Sequence, residues 1–520
     1  MTAEEEARRP DPIIRIDTSA SIRNEQNRLR ISRTRSNTSR SDVNAHAVLR
    51  RHFAIPTPLH SPNHSRSHSR ASPSDSGDGE NGDVEKAAER EMGDDEELDL
   101  TWKQRIKHFT WTWFTMTMAT GQLANCIAAV PFRFLGLNMI GLIIMFLNIA
   151  LFLFNTTCIL LRFRLYPHTF WASLTHPTES LFAPAFVISL GTILMNITVY
   201  GVRSPHTGPW LEHTMVVFFW LYCALAMASA CGIYLIMWST QTFTISRMTP
   251  VWIFPAYPLL VVAPHAAVLA ARIPNHERAL GVIVGGFTLQ GIGFMVSLMV
   301  YAAFLYRLMT NKLPQESLRP GMFISVGPSG FTVAGVIGMG MEIRRVIPAD
   351  FMGVGDIAGV VTMVMANWMG VWLWGLAIFF FVVSAGAHWS CVGSKRMGFA
   401  MTWYSFVFPN TGLTTGTFAV GLALNNRPIQ IVGCIFMVLL LIVWAFVFGM
   451  MIRAVRLKQI LWPQKQEDKD EGRWVFESDR SSIRAMQTDV ESMFGQGGAD
   501  EHEELEVRVT RASTGHERRM

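Results

Sequence analysis

Between residues 109 and 451 the chain is laid out as about ten apolar stretches, each long enough to cross a hydrocarbon core of about 30 Å, which takes roughly twenty helical residues. They fall at 109–130, 138–161, 181–200, 214–237, 251–271, 280–306, 322–341, 357–387, 398–424 and 428–451. Backbone amides in lipid must be bonded within their own segment. Stretches of this length are therefore helices, since barrel strands would be about half as long and would alternate in polarity. The pattern predicts an all-α membrane protein of about ten transmembrane helices.

Composition agrees. Half of the 520 residues are hydrophobic and 16% are charged, against about a quarter charged in soluble domains. The charges crowd into residues 1–100 and 461–520, leaving 101–460 as the folded transmembrane domain. The first tail, with RTRSNTSRSD and HSRSHSRASPSDS followed by the acidic GDDEELD, has too little apolar surface to offset the entropy of ordering, and the sequence predicts disorder there. Its Arg-x-x-Ser-like spacings suit a kinase or simply solvation. The second tail is also polar and predicted disordered, except that ESDRSSIRAMQTDVESMF suits a short surface helix. The opening residues lack the apolar core of a secretory signal, so the first span would act as the targeting signal.

The net charge of +5 matters less here than its placement, and nucleic-acid binding is not indicated. With the N-terminus cytoplasmic, the inner flanks hold Lys103, Arg105, Lys107, Arg162, Arg164, Arg247, Arg307, Lys312, Arg319, Lys395, Arg396, Arg453, Arg456, Lys458 and Lys465. The outer loops hold Arg133, Arg203, Arg272, Arg278, Arg344, Arg345 and Arg427. Roughly fifteen against seven places both termini inside. The six cysteines, among them Cys126, Cys231 and Cys391, show no metal spacing and read as buried thiols.

The spans differ in a way that predicts a conduit. Interior prolines fall in odd-numbered spans: Pro255, Pro258 and Pro264, then Pro328, then Pro409. A proline inside a helix frees a backbone carbonyl, which is tolerated against protein or a watery cavity. The odd spans also carry Gly121, hydroxyls and amides near mid-depth. These are Thr117, Thr120, Gln122 and Asn125; Thr192 and Asn196; Ser325, Ser329 and Thr332; and Asn410, Thr411, Thr414 and Thr415. Any one of them also suits helix-to-helix contact, but their clustering on alternate spans predicts a polar pore lining. Weak hydroxyl and amide contacts would let an anion bind and leave quickly. The spans lack H-E-x-x-H and paired carboxylates, so a membrane enzyme is not indicated. A receptor or scaffold without a conduit stays open.

Four runs carry a resemblance: RIKHFTWTWFTMTMATG (105–121), PFRFLGLNMIG (131–141), RPGMFISVGPSGF (319–331) and FVFPNTG (406–412). In order and spacing the chain resembles the fungal malic acid transport proteins of the tellurite-resistance/dicarboxylate transporter family, which also holds fungal sulfite pumps and plant slow anion channels. The resemblance implies five helical hairpins around a central pore, lined by the odd helices in each subunit of a homotrimer. It implies a plasma-membrane carrier of a small anionic substrate, malate or another C4-dicarboxylate or alternatively sulfite, with no cofactor. It further implies a gate at Phe408, before Pro409, and anion-attracting arginines at the mouths, Arg133 and Arg319. One departure stands out: Gln122 follows Thr-Gly where malate-type members carry a second glycine.

Overall fold

The computed structural model describes residues 101–205, 207–241, 243–389 and 398–461. The tails lie outside the described residues, and with them the disorder, the kinase spacings, the short surface helix and Lys465; so do Cys391, Lys395 and Arg396.

The described chain is helical. In chain order its major elements are α1 (Phe114–Ala128) and α2 (Leu137–Leu165), α3 (Glu179–Gly201), α4 (Trp210–Thr240), α5 (Pro250–Ala270), α6 (His276–Asn311) and α7 (Glu316–Val346), then α8 (Gly355–Trp389), α9 (Phe408–Ala423) and α10 (Arg427–Arg456). Eight of these are long and apolar enough to cross a membrane. The other two, α1 and α9, are α-helical for 15 and 16 residues. Each is preceded by a 3-10 segment, Trp111–Trp113 and Met401–Phe406, which accounts for the rest of the expected spans.

The alternation seen in the sequence is the architecture. α1 packs on α3, α3 on α5, α5 on α7, α7 on α9, and α9 back on α1, which closes a ring of the odd helices. The even helices stand outside, each packed on its hairpin partner. Burial follows from position: 78–94% of the apolar window is buried in α3, α5 and α7, but 22–33% in α2, α4, α6, α8 and α10. The outer helices turn residues such as Phe146, Trp238, Trp372 and Ile442 outward, as a lipid-facing wall requires. Cys231 is exposed on α4, which corrects the expectation that all the thiols are buried; Cys126 is buried.

The prolines act differently from what the sequence predicts. α5 opens as a 3-10 segment, Pro250–Ala256, and continues as two α pieces, Tyr257–Leu260 and Val262–Ala270. α7 likewise opens as 3-10 over Glu316–Ser325 before its α portion, Val326–Val346. Pro258, Pro264, Pro328 and Pro409 each fall in the first turn of an α piece, and Pro255 lies inside a 3-10 segment. The first turn has no intrahelical acceptor for its N–H groups, so these four prolines cost no helical hydrogen bond. They set where the α portions of the ring begin rather than bending them midway.

The tightest contact in the ring is between α7 and α9. A Cβ on Gly330 would stand 2.5 Å from the backbone of Gly412 and Leu413, so glycine is what lets the two backbones touch.

Candidate functional site

The ring helices begin at one end of the bundle and finish at the other, because each crossing reverses direction and alternate helices are parallel. The starts of α1, α3 and α9 enclose a cavity of about 40 Å³, against roughly 10–15 Å³ for one water. Thr110 and Thr112 line it from the approach to α1, and Thr402 from the approach to α9. His176, Thr178, Glu179 and Phe182 line it from the start of α3. The His176 Nδ1 accepts from the backbone N–H groups of Thr178 and Glu179, at 3.2 and 3.1 Å. Glu179 is gripped by Arg162 at 2.5 and 3.3 Å, and Arg162 also donates to the Phe109 carbonyl at 2.9 Å. This buried pair keeps the cavity wall close to neutral.

From the cavity an aromatic file leads along the ring. Phe182 meets Phe254 at 5.1 Å between ring centroids, Phe254 meets Tyr257 at 5.5 Å, and Tyr257 meets Phe408 at 5.8 Å. Phe331 of α7 closes on Phe408 at 5.1 Å. Phe408 is fully buried. The Tyr257 hydroxyl donates to the Ile324 carbonyl, which fixes that ring against α7. Phe406, two residues before Phe408, instead meets Phe323, His388 and Trp403.

The hydroxyls and amides marked by the sequence divide among several faces. Thr117 is shared between α1 and α3 through the Ser189 hydroxyl at 2.7 Å. Around Gly121 the helices approach so closely that an added Cβ would stand 2.4 Å from Thr192 Oγ1 and 2.6 Å from Asn148 Nδ2. Asn196 donates to the Gly121 carbonyl at 3.0 Å, and Asn125 donates to Gln122 Oε1 and the Thr192 carbonyl, both at 3.3 Å. Thr120 turns toward the outer layer, where it accepts from Trp444 of α10 at 3.0 Å. Thr332 accepts from Gln290 of α6 at 2.8 Å, and Ser329 lies beside Tyr301 of α6. On α9, Asn410 donates to the Phe406 carbonyl at 2.9 Å and Thr411 to the Phe408 carbonyl at 2.5 Å.

Among the polar residues of the outer layer that the sequence did not single out are Asn148 and Asn155 on α2, both fully buried. Asn155 donates to the Trp113 carbonyl at 3.0 Å. Lone amides within an apolar span are the signal that marks them, since lipid gives an amide no partner.

The mouths differ. At the starting end of the ring, Arg319 donates to the Pro314 carbonyl and to Ala387, near the end of α8, at 3.1 and 3.0 Å. At the finishing end, Arg133 donates to the Ala128 carbonyl of α1. Arg272, in the loop after α5, is pushed below its ordinary value by burial and then by the cations of Arg203 and Arg133, with Glu342 acting the other way. Arg203 and Arg133 are thus each within electrostatic reach of Arg272.

A family described as voltage-dependent anion channel matches residues 108–452, the whole ring-and-wall bundle. The chain belongs to that family. Among the relatives of this anion channel family member is the malic acid transport protein of Schizosaccharomyces pombe, 32% identical over 368 residues, 70% of this chain and 82% of that protein. A putative malic acid transport protein of the same yeast is 30% identical, covering 70% and 84%. A sulfite efflux pump of Arthroderma otae is 26% identical, covering 66% and 90%. Family and architecture together make the chain a multi-pass membrane protein that transports anions, and place it among transporters rather than enzymes.

Proposed function

We propose that the protein carries malate or a related C4-dicarboxylate through the ring of odd helices, with Phe408 as the plug. The observation that carries the substrate reading is the 32% identity to a malic acid transport protein across 82% of that protein, against 26% for the sulfite pump. Sulfite efflux is the second reading, favoured by the 90% coverage of that pump. In the gate reading, the Phe408 ring, packed between Tyr257 and Phe331, offers a hydrated anion no partner for its lost water. Thr117, Gly121, Gln122, Thr192, Asn196, Asn410 and Thr411 belong to the conduit wall, and Arg133 and Arg319 draw anions to its mouths. Thr120, Ser329 and Thr332 support that wall from behind.

Uptake of labelled malate, succinate and sulfite by cells without endogenous carriers tests the substrate. Malate and succinate uptake well above background, each competing with the other, is the expected result. Transport of sulfite alone would move the assignment to the second reading.

In this reading the protein sits in the plasma membrane, as the resemblance implies, with both termini cytoplasmic, because the basic loop residues divide that way. Cysteines introduced beside Arg203 and Arg344 should react with an impermeant reagent in intact cells. Labelling of the N-terminal tail instead would invert the orientation. Subunits assemble as homotrimers through the outer helices, which a mass measurement on the detergent-solubilised protein checks.

A further inference from the structure

Parallel ring helices create an electrostatic problem for an anion path. Each helix carries roughly half a negative elementary charge at its C-terminal end, and the C-terminal ends of α1, α3, α5, α7 and α9 gather at one mouth. The outer helices bring their positive N-terminal ends to the same side but at the perimeter, so the ends that face an anion path are the negative ones. Side chains found there answer the difficulty at the ends of α1, α3 and α5. Arg133 donates to Ala128, the last residue of α1. Arg272 donates to Val268 of its own helix at 2.9 Å and reaches across to Val199, in the last turn of α3, at 3.2 Å. Arg345, near the end of α7, reaches back to Ala270, the last residue of α5, and to Ile273 just beyond it, at 2.6 and 3.2 Å. Each cation therefore sits on the carbonyls that carry a helix's negative end, and two of the three join neighbouring ring members.

We propose that Arg133, Arg272 and Arg345, with Arg203 near Arg272, form a cationic collar that covers the negative helix ends at the C-terminal mouth of the ring and so admits anions there. Their charge falls directly on the carbonyls nearest the path, offset in part by the Glu342 carboxylate bonded to Arg345 at 3.0 Å. The collar rests on anion transport by the ring, not on which anion is carried. It accounts for arginine rather than lysine, because the planar fork bonds two carbonyls while keeping its charge.

The test is flux through reconstituted protein with malate, sulfite or chloride as the probe anion, applied from one face at a time. Arg272→Gln should lower flux about two- to five-fold at low probe concentration from the face bearing the collar, with little change from the other face and at saturation. The loss should shrink as inert salt is raised, because screening sets in within roughly 8–10 Å. Arg272→Lys keeps the charge and should recover most of the flux, whereas a merely structural arginine would leave lysine as poor as glutamine. Arg203→Gln, at an exposed loop position, removes a charge while leaving the Arg272 and Arg345 bonds in place and should show the same sidedness. If the loss appears from the cytoplasmic bath, the collar holds and the proposed orientation fails. Equal loss from both faces, or loss indifferent to salt, would overturn the collar.

Discussion

Phe408→Ala should raise basal anion flux about tenfold or more, since every ~1.4 kcal/mol taken off the barrier is a factor of ten. The ring is fully buried and wedged against Tyr257 and Phe331 from two other members of the ring. Truncation removes the apolar plug and leaves the hydroxyl and arginine groups untouched, so preference for anions over cations should persist. Phe408→Leu, smaller but still apolar, should fall between the two. Phe406→Ala is the control, because its neighbours are Phe323, His388 and Trp403; it should lose packing without opening the path. Losing a buried phenylalanine also costs about 3–5 kcal/mol of stability, so currents must be compared at matched surface level. Unchanged basal current in Phe408→Ala would remove the residue from the gate.

Glu179→Gln should destabilise the fold by about 3–5 kcal/mol, because it strands the Arg162 guanidinium in a buried position. Arg162 is 2% exposed and Glu179 6%. Together they tie the end of α2 to the start of α3, and through the Phe109 carbonyl to the approach to α1. The expected readout is a clear fall in the thermal midpoint of the solubilised protein and less protein at the cell surface. Replacing both partners, as in Arg162→Met with Glu179→Leu, should restore much of the loss, since an apolar pair of similar size leaves no buried charge. Glu342→Gln breaks an ion pair that is 37% and 27% exposed and should cost no more than about 1 kcal/mol. A midpoint in Glu179→Gln no lower than in Glu342→Gln would show that the buried pair contributes little.

The arginines of the proposed collar and the buried ion pair were legible in the sequence to different degrees. Arg133 stood out through its motif, but Arg272 and Arg345 read as ordinary loop cations. Their partners, Val199 and Ala270, lie 73 and 75 residues away in the chain. Glu179 and Arg162 are separated by 17 residues, and nothing in their spacing tells a bonded pair from two flank charges.

What the sequence determined by itself was the helical, membrane-crossing character of the chain and the division of its spans into two kinds. Hydrocarbon forces the backbone into helices of a given length, and lipid tolerates few polar side chains, so the enclosed helices betray themselves by carrying them. The tertiary structure alone decided which way each polar group faces. A threonine hydroxyl in a helix can return its proton to the carbonyl three or four residues back, as Thr120 does to Met116, Thr332 to Pro328 and Thr411 to Phe408. A hydroxyl satisfied in that way fits a pore, a helix contact or a wall equally well. Thr120 meets Trp444 across 324 residues, and the 3.6-residue period that sets its face says nothing about which helix stands opposite.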